Sequence, residues 1–474
     1  MGNLFAVLGS AGQALGAYQR ALSVVQNNLS NSNTPGYASQ SANLVGQPFD
    51  ITAGLVGGVA AKGLISARDQ FADGAVQQQL QLLGKYTAQA QGTSSISNFF
   101  DATGNTGVTA DLNTLFQSFS AWSLTPNSAT SQQSVLASAG TLAAGIQSLS
   151  KSLNQTDQNA QGQINSTVQQ VNQLTARIQQ YNVQRRSQAQ PDPNLDAQLN
   201  SDLEQLSQLV DFSSITQADG SVTVVLSGGS PLVVGDTQYA LSSTSQVPAG
   251  SANPSAPPSS IILDNQGNDI TSQITGGQLG GLLDVHNNVL ASIIGSGSQA
   301  GSLNTFAKSV ADTVNGILTS GTVSTQVGAA AGTALFSYNN TDPTLAASTF
   351  AVNPAITPAG LAPVDSKGNS NGNALALASL ANSTASGGIG GQTFGDYFSG
   401  IESALGNAAS TAQTNQQAQQ QVADQTKAQR DQISGVSLDQ QATLMMQFQN
   451  SYQAAAQFIN VLDQMSQATI NMIH

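Results

Sequence analysis

Asn27-Asn28-Leu29-Ser30-Asn31-Ser32-Asn33-Thr34-Pro35-Gly36-Tyr37 is a polar stop at the end of an apolar heptad, and the fold is read outward from it. Upstream, Leu4, Ala11, Tyr18 and Val25 are spaced by sevens, as are Leu8, Leu15, Leu22 and Leu29. The two series alternate steps of four and three, which lays a coiled-coil type seam along one helix. Its other positions carry Gln, Asn and Ser, and Arg20 is the sole charged side chain before Asp50. The helix then ends for local reasons. Pro35 biases Thr34 away from helical angles, Gly36 permits a tight turn, and the Asn/Ser cluster bonds its own backbone.

A lone helix cannot bury such a seam, and the expected partner lies at the far end of the chain. Leu438, Met445, Tyr452 and Ile459 repeat by sevens, with Phe448, Ala455 and Leu462 three residues after the last three of them. Ser437 is placed to cap this helix, and Gly435 marks a break before it. The spacing predicts an antiparallel pair that brings the two ends together.

Composition narrows the function classes. At 474 residues the chain is long enough for two to four domains. Only 8% of residues are charged, and the net charge of −13 reflects few Lys and Arg rather than acidic tracts. That argues against nucleic acid or an anionic membrane as partner. No cysteine is present, so disulfides and thiolate chemistry are excluded. Gly9, Ser10, Gly12 and Gln13 interrupt what would be the apolar core of a secretory signal. No window offers the ~20 apolar residues that span a bilayer.

The interior reads as helices around a β insert. Val45, Phe49, Ile51, Leu55, Val56, Val59, Leu64 and Ile65 punctuate short strands or an irregular arm up to Ser66. From Asp69, Phe71, Val76, Leu80, Leu83 and Tyr86 share a broad helical face to about Phe100, and Leu112 to Phe119 form a short helix ending before Pro126. One long helix is expected over 131–183, ended by Pro191-Asp192-Pro193, with an antiparallel neighbour from Leu195 to Leu209. Near Phe212 the period changes to two, and the apolar positions Ile215, Val222, Val224 and Leu226 flank the Asp219-Gly220 turn. Helical spacing returns after Gly276, at Ala374–Leu380, and from Phe394 into a Gln/Ala-rich run. The expected fold is mainly α with inserted β. Residues 1–37 and 435–474 form a terminal coiled-coil domain, and 212–275 a small β-rich middle domain. Between them, 38–211 and 276–434 form a long-helix bundle with irregular inserts at about 319–370.

Catalytic chemistry is not legible. His286 lies in a helical pattern without a second ligand near it, and His474 is the last residue, so no metal site is assigned. Asp264 and Asp269 flank a turn and read as turn chemistry. Serines lack a nucleophile-elbow setting, and no phosphate-binding loop follows a strand. The chain reads as no enzyme and calls for no cofactor.

The stretch containing Asn28, Asn31, Asn33, Thr34, Pro35, Gly36 and Tyr37 closely resembles the N-terminal signature of bacterial flagellar axial proteins: the rod, hook and hook-associated subunits. Gly435-Val436-Ser437-Leu438-Asp439, followed by Phe448-Gln449-Asn450-Ser451-Tyr452, resembles their C-terminal motif. Asp219-Gly220-Ser221-Val222, Gly277-Gln278-Leu279-Gly280-Gly281 and Phe350-Ala351-Val352-Asn353-Pro354 are similar to the hook-associated members. An Arg common in the family after the Pro-Gly-Tyr triplet is absent, since Ala38-Ser39-Gln40 stands there. The resemblance implies a structural adaptor between hook and filament, exported by the flagellar type III apparatus without a cleaved signal. It implies as partners other copies in a ring, the hook protein, the second junction protein, filament and cap proteins, and an export chaperone in the cytoplasm. Localisation would be extracellular, at the hook–filament junction. The seam residues Leu4, Leu8, Leu15, Tyr18, Leu22, Val25, Leu29, Leu438, Met445, Phe448, Tyr452, Ile459 and Leu462 would line the inner tube. Another axial subunit (hook or rod) is the alternative, and a secreted coiled-coil translocator a more distant one.

Overall fold

The computed structural model describes residues 2–48, 57–100, 106–188, 190, 192–384 and 389–472. Phe49, Ile51, Leu55, Val56, Gly104, Pro191 and His474 lie outside the described residues.

In chain order, helix α1 (Gly2–Ser30) leads through the polar stop to the antiparallel strands β1 (Gln40–Gly46) and β2 (Val59–Ser66). Then come α2 (Gln70–Ser97), α3 (Gly107–Leu124), the 59-residue α4 (Ala129–Ser187) and α5 (Pro193–Leu209). Asp192 caps α5 by accepting from the Asn194 amide, with Pro193 at its first turn. Four strands make one antiparallel sheet in sequence order: β3 (Phe212–Thr216), β4 (Val222–Leu226), β5 (Pro231–Val234) and β6 (Thr237–Gln238). A hairpin of β7 (Ser242–Gln246) and β8 (Ser259–Leu263) follows. Helix α6 (Gly277–Asp284) runs into a π-helical turn (Val285–Leu290), α7 (Ala291–Ile294) and α8 (Ser302–Thr319). Strands β9 (Phe336–Ser337) and β10 (Ala351–Val352) pair before α9 (Gly372–Ser379), α10 (Phe394–Ser434) and α11 (Leu438–Asn471). Helix dominates, at 61%.

The chain divides into two compact units. The first comprises Met1–Leu82, Val171–Tyr239 and Gln420–His474; the second comprises Leu83–Gln170 and Ala240–Gln419. The stretch 212–275, expected as one β-rich domain, is therefore shared between them. The cause is side-chain anchoring. Asn182 of α4 donates to the Val222 and Gly235 carbonyls and accepts from the Val222 amide, tying β4 and the β5–β6 turn to the first unit. Asn287 pairs with both backbone groups of Ser260, tying β8 to the second.

The apolar core of the second unit is continuous, running through Trp122, Leu142, Phe306, Phe336, Phe350, Phe394 and Phe398. Its stretch without regular helices, about 319–370, still buries Leu335, Phe336, Phe350 and Leu361. In the first unit, Leu199, Leu203, Leu206, Val222, Val224 and Leu232 are buried. Two apolar side chains depart from expectation. Phe71, placed on the buried face of α2, is 93% exposed because it sits in the first turn, where nothing packs on it. Ile215 is exposed on the edge strand β3.

Candidate functional site

Helices α1 and α11 pack against each other within the first unit, and the polar stop closes them. Asn28 is fully buried at the end of α1. Its Nδ2 donates to the Gln40 carbonyl at 2.7 Å and to Gln441 Oε1 of α11 at 3.0 Å. Its Oδ1 accepts from the Gln40 amide and the Tyr37 hydroxyl, each at 2.9 Å. All four capacities of the amide are therefore filled, which a buried side chain of this type requires. Burial pushes the Tyr37 phenol up from its ordinary pKa, which keeps it a neutral donor to Asn28.

The rest of the stop holds itself. Asn31 Nδ2 donates to Asn27 O and Oδ1, Ser32 Oγ to Leu29 O, and Thr34 Oγ1 to Asn31 Oδ1. Asn33, Thr34 and Pro35 are exposed. Gly36 has φ +74, and a Cβ there would run into the Ala197 carbonyl of α5. Glycine is thus required twice, by conformation and by space. Arg68 donates to the Gly36 carbonyl and pairs with Asp73 at 2.9 Å. The expected family Arg near Ala38-Ser39-Gln40 is missing, and Arg68 supplies a cation beside this turn from later in the chain. Arg430 pairs with Glu204 and with Asp431, at 2.9 Å to the latter. The Ser39 amide donates to the Ser434 carbonyl, and Ser437 Oγ accepts from the Gln440 amide at the start of α11. A cleft of about 300 Å³ lies between the stop and the α10–α11 turn, lined by Tyr37, Arg68, Arg430 and Gly435 among others.

The seam is shallower than its heptads suggest. Val25 is buried, but Leu4, Leu8, Leu15, Tyr18 and Leu22 are half-buried and Leu29 is exposed. The tightest line on α1 is instead Ala17, Ala21, Val25 and Asn28, where small side chains allow close approach. On α11, Met445, Phe448, Tyr452 and Ile459 are half-buried, Leu462 is buried, and Leu438 is exposed. Sequence spacing missed Gln441, the buried polar partner of Asn28, because Gln is common on this helix and the contact spans the whole chain. It also missed a second stripe on α11: Phe458, Val461 and Met465 are each about half exposed at steps of three and four.

Asp264 and Asp269 serve their turns. Asp264 accepts from the Gln266 and Asn268 amides, which lowers its carboxyl pKa through the Asn268 bonds first, and Asp269 accepts from Thr271. Among the described residues, no cluster of three His, Asp or Glu is placed to hold a metal ion. No described helix is long and apolar enough to cross a membrane.

Comparison with known proteins adds the context. Residues 93–336, more than half of the chain, match the family described as flagellar hook-associated protein FlgK helical domain. Residues 427–472 match the flagellar basal body rod FlgEFG protein C-terminal family, and residues 8–37 match the flagella basal body rod protein family. Flagellar hook-associated protein 1 of Bacillus subtilis (strain 168) is 30% identical over 193 residues, which span 39% of this chain and 38% of that relative. The flagellar hook junction protein FlgK from Burkholderia pseudomallei superposes with a TM-score of 0.60 at 18% identity. That likeness, which concerns the fold, covers 78% of this chain and 100% of the other.

Proposed function

This chain belongs to the flagellar hook-associated protein FlgK family, and from that premise we propose that it is a structural adaptor joining the hook to the flagellin filament. In this reading the chain leaves the cytoplasm, where an export chaperone holds it, through the flagellar type III apparatus. Outside the cell it assembles as a ring of copies between the hook protein on one side and the second junction, filament and cap proteins on the other. Residues 1–37 and 435–474 form its inner-tube domain, and no catalysis or cofactor enters.

The observation that supports this most is the outer stripe of α11. Phe458, Val461 and Met465 are 50%, 51% and 55% exposed, a spacing that fits a further helix. The heptad seam contributes less to such a contact, because its residues are already partly covered by the pairing of α1 with α11.

The test is complementation of a strain lacking this protein with a Phe458→Asp, Met465→Asp double variant. Two carboxylates placed in an apolar contact without cations cost several kcal/mol. The expected outcome is unchanged melting of the purified chain, no attached filaments, and flagellin released to the medium. Attached filaments of normal length would remove the stripe from the joint.

A further inference from the structure

His286 is buried in the π-helical turn of the second unit, and nothing in the proposed assembly role uses it. Its Nδ1 lies 2.9 Å from Asn287 Oδ1. The orientation of that amide is fixed by the backbone of Ser260, whose N–H donates to Asn287 Oδ1 and whose carbonyl accepts from Nδ2, both at 2.9 Å. A flipped amide would set donor against donor and acceptor against acceptor. Asn287 Oδ1 is therefore an acceptor, and His286 Nδ1 carries the hydrogen.

That assignment leaves Nε2 of the neutral ring as a bare lone pair. It stands 3.3 Å from Oδ1 of Asp157 on α4, without the alignment of a hydrogen bond. Asp157 is itself buried, so a carboxylate and a lone pair would oppose each other away from water. We propose that Asp157 and His286 hold a single proton between carboxyl and Nε2, and that this proton locks the π-helical turn and, through Asn287, the Ser260 anchor of β8.

The surroundings fit a one-proton pair. Burial pushes the Asp157 carboxyl above its ordinary pKa, with His286 pulling the other way. The nearby carboxylate, Asp284, is turned to Gln89 and Asn288, each 2.7 Å away. An acid whose pKa is raised on folding gives its full contribution to stability below the ordinary carboxylate range. That contribution is lost as pH rises through the raised value. Loss of the proton loosens the turn.

The experiment uses the full chain. Urea unfolding is followed through Trp122, which is fully buried in the same unit, from about pH 4 to about pH 9. Asp157→Asn keeps the shape and donates permanently from Nδ2 to the lone pair. Relative to that variant, the unfolding constant of the parent should rise with pH, by up to tenfold per pH unit at the steepest. Histidine-labelled nitrogen NMR of His474→Gln, which leaves His286 as the single histidine, should find the hydrogen on Nδ1 and Nε2 as the proton acceptor. Parallel pH profiles for parent and Asp157→Asn would overturn the proposal, as would an unprotonated Nδ1. The NMR arm decides the matter even if Asp157→Asn fails to fold.

Discussion

The terminal helix pair and the core of the second unit are both long-helix packings, yet they bury their side chains in opposite ways. In the second unit, large aromatic side chains interdigitate: Phe306 meets Phe398 at 5.0 Å between ring centroids and Phe394 edge-on at 6.4 Å. In the terminal pair, α11 runs for 34 residues and buries only Gln441 and Leu462. The pair is held by alanines and by one saturated polar hub, with its larger apolar groups left half exposed. One packing is finished within the chain. The other has apolar surface to spare, as a surface awaiting further helices would.

The largest expected effect tests the finished side. Phe306→Ala removes a fully buried ring from the aromatic cluster, and such cavities cost about 3–5 kcal/mol. Urea unfolding read through Trp122 should record that loss, while protease sensitivity of α1 and α11 stays as in the parent. A loss below about 1 kcal/mol would mean this core can collapse around the gap, and the contrast between the two packings would shrink.

The next effect tests the hub. Asn28→Leu keeps the volume but leaves the Gln40 amide and carbonyl, and Gln441, without their partner. Buried groups stranded in this way cost about 1–3 kcal/mol each. Hydrogen exchange at the Gln40 amide should speed by orders of magnitude, and the termini should become protease-sensitive, with unfolding read at Trp122 unchanged. If exchange at Gln40 does not change, the pair is closed by its apolar seam and the hub is incidental.

These residues also mark what the sequence could convey. Heptads and the 3.6 period are local, so α1, α4 and α11 were readable to within a few residues. The motif around Pro35 and Gly36 was readable as a stop, since both act through their own backbone. The Gln441 contact was not, because it joins positions 413 apart and involves a residue type that repeats along α11. His286 read as a lone histidine for the same reason, as its carboxylate partner lies far upstream on α4. The β stretch was recognised by its period of two. Its division between two units depends on Asn182 and Asn287, whose roles no periodicity encodes.

The smallest expected effect concerns Phe71, where periodicity and structure disagree. Its apolar character and spacing with Val76 and Leu80 place it on the buried face of α2. At 93% exposed, however, its ring touches little, and its amide is satisfied by Asp69 Oδ1 at 2.8 Å. The first turn is therefore held by the cap and not by the ring. Phe and Ser have similar helix propensities, so Phe71→Ser changes neither the cap nor the packing. Surface changes of this kind fall within about 0.5 kcal/mol. Urea unfolding of Phe71→Ser should match the parent within that margin, and its solubility should rise, since a large exposed ring is removed. A loss above about 1 kcal/mol would show that Phe71 is covered in the free chain. Phe71 would then leave the set of exposed apolar side chains in the first unit, the terminal pair would hold a larger share of what remains, and the contrast with the closed core would sharpen.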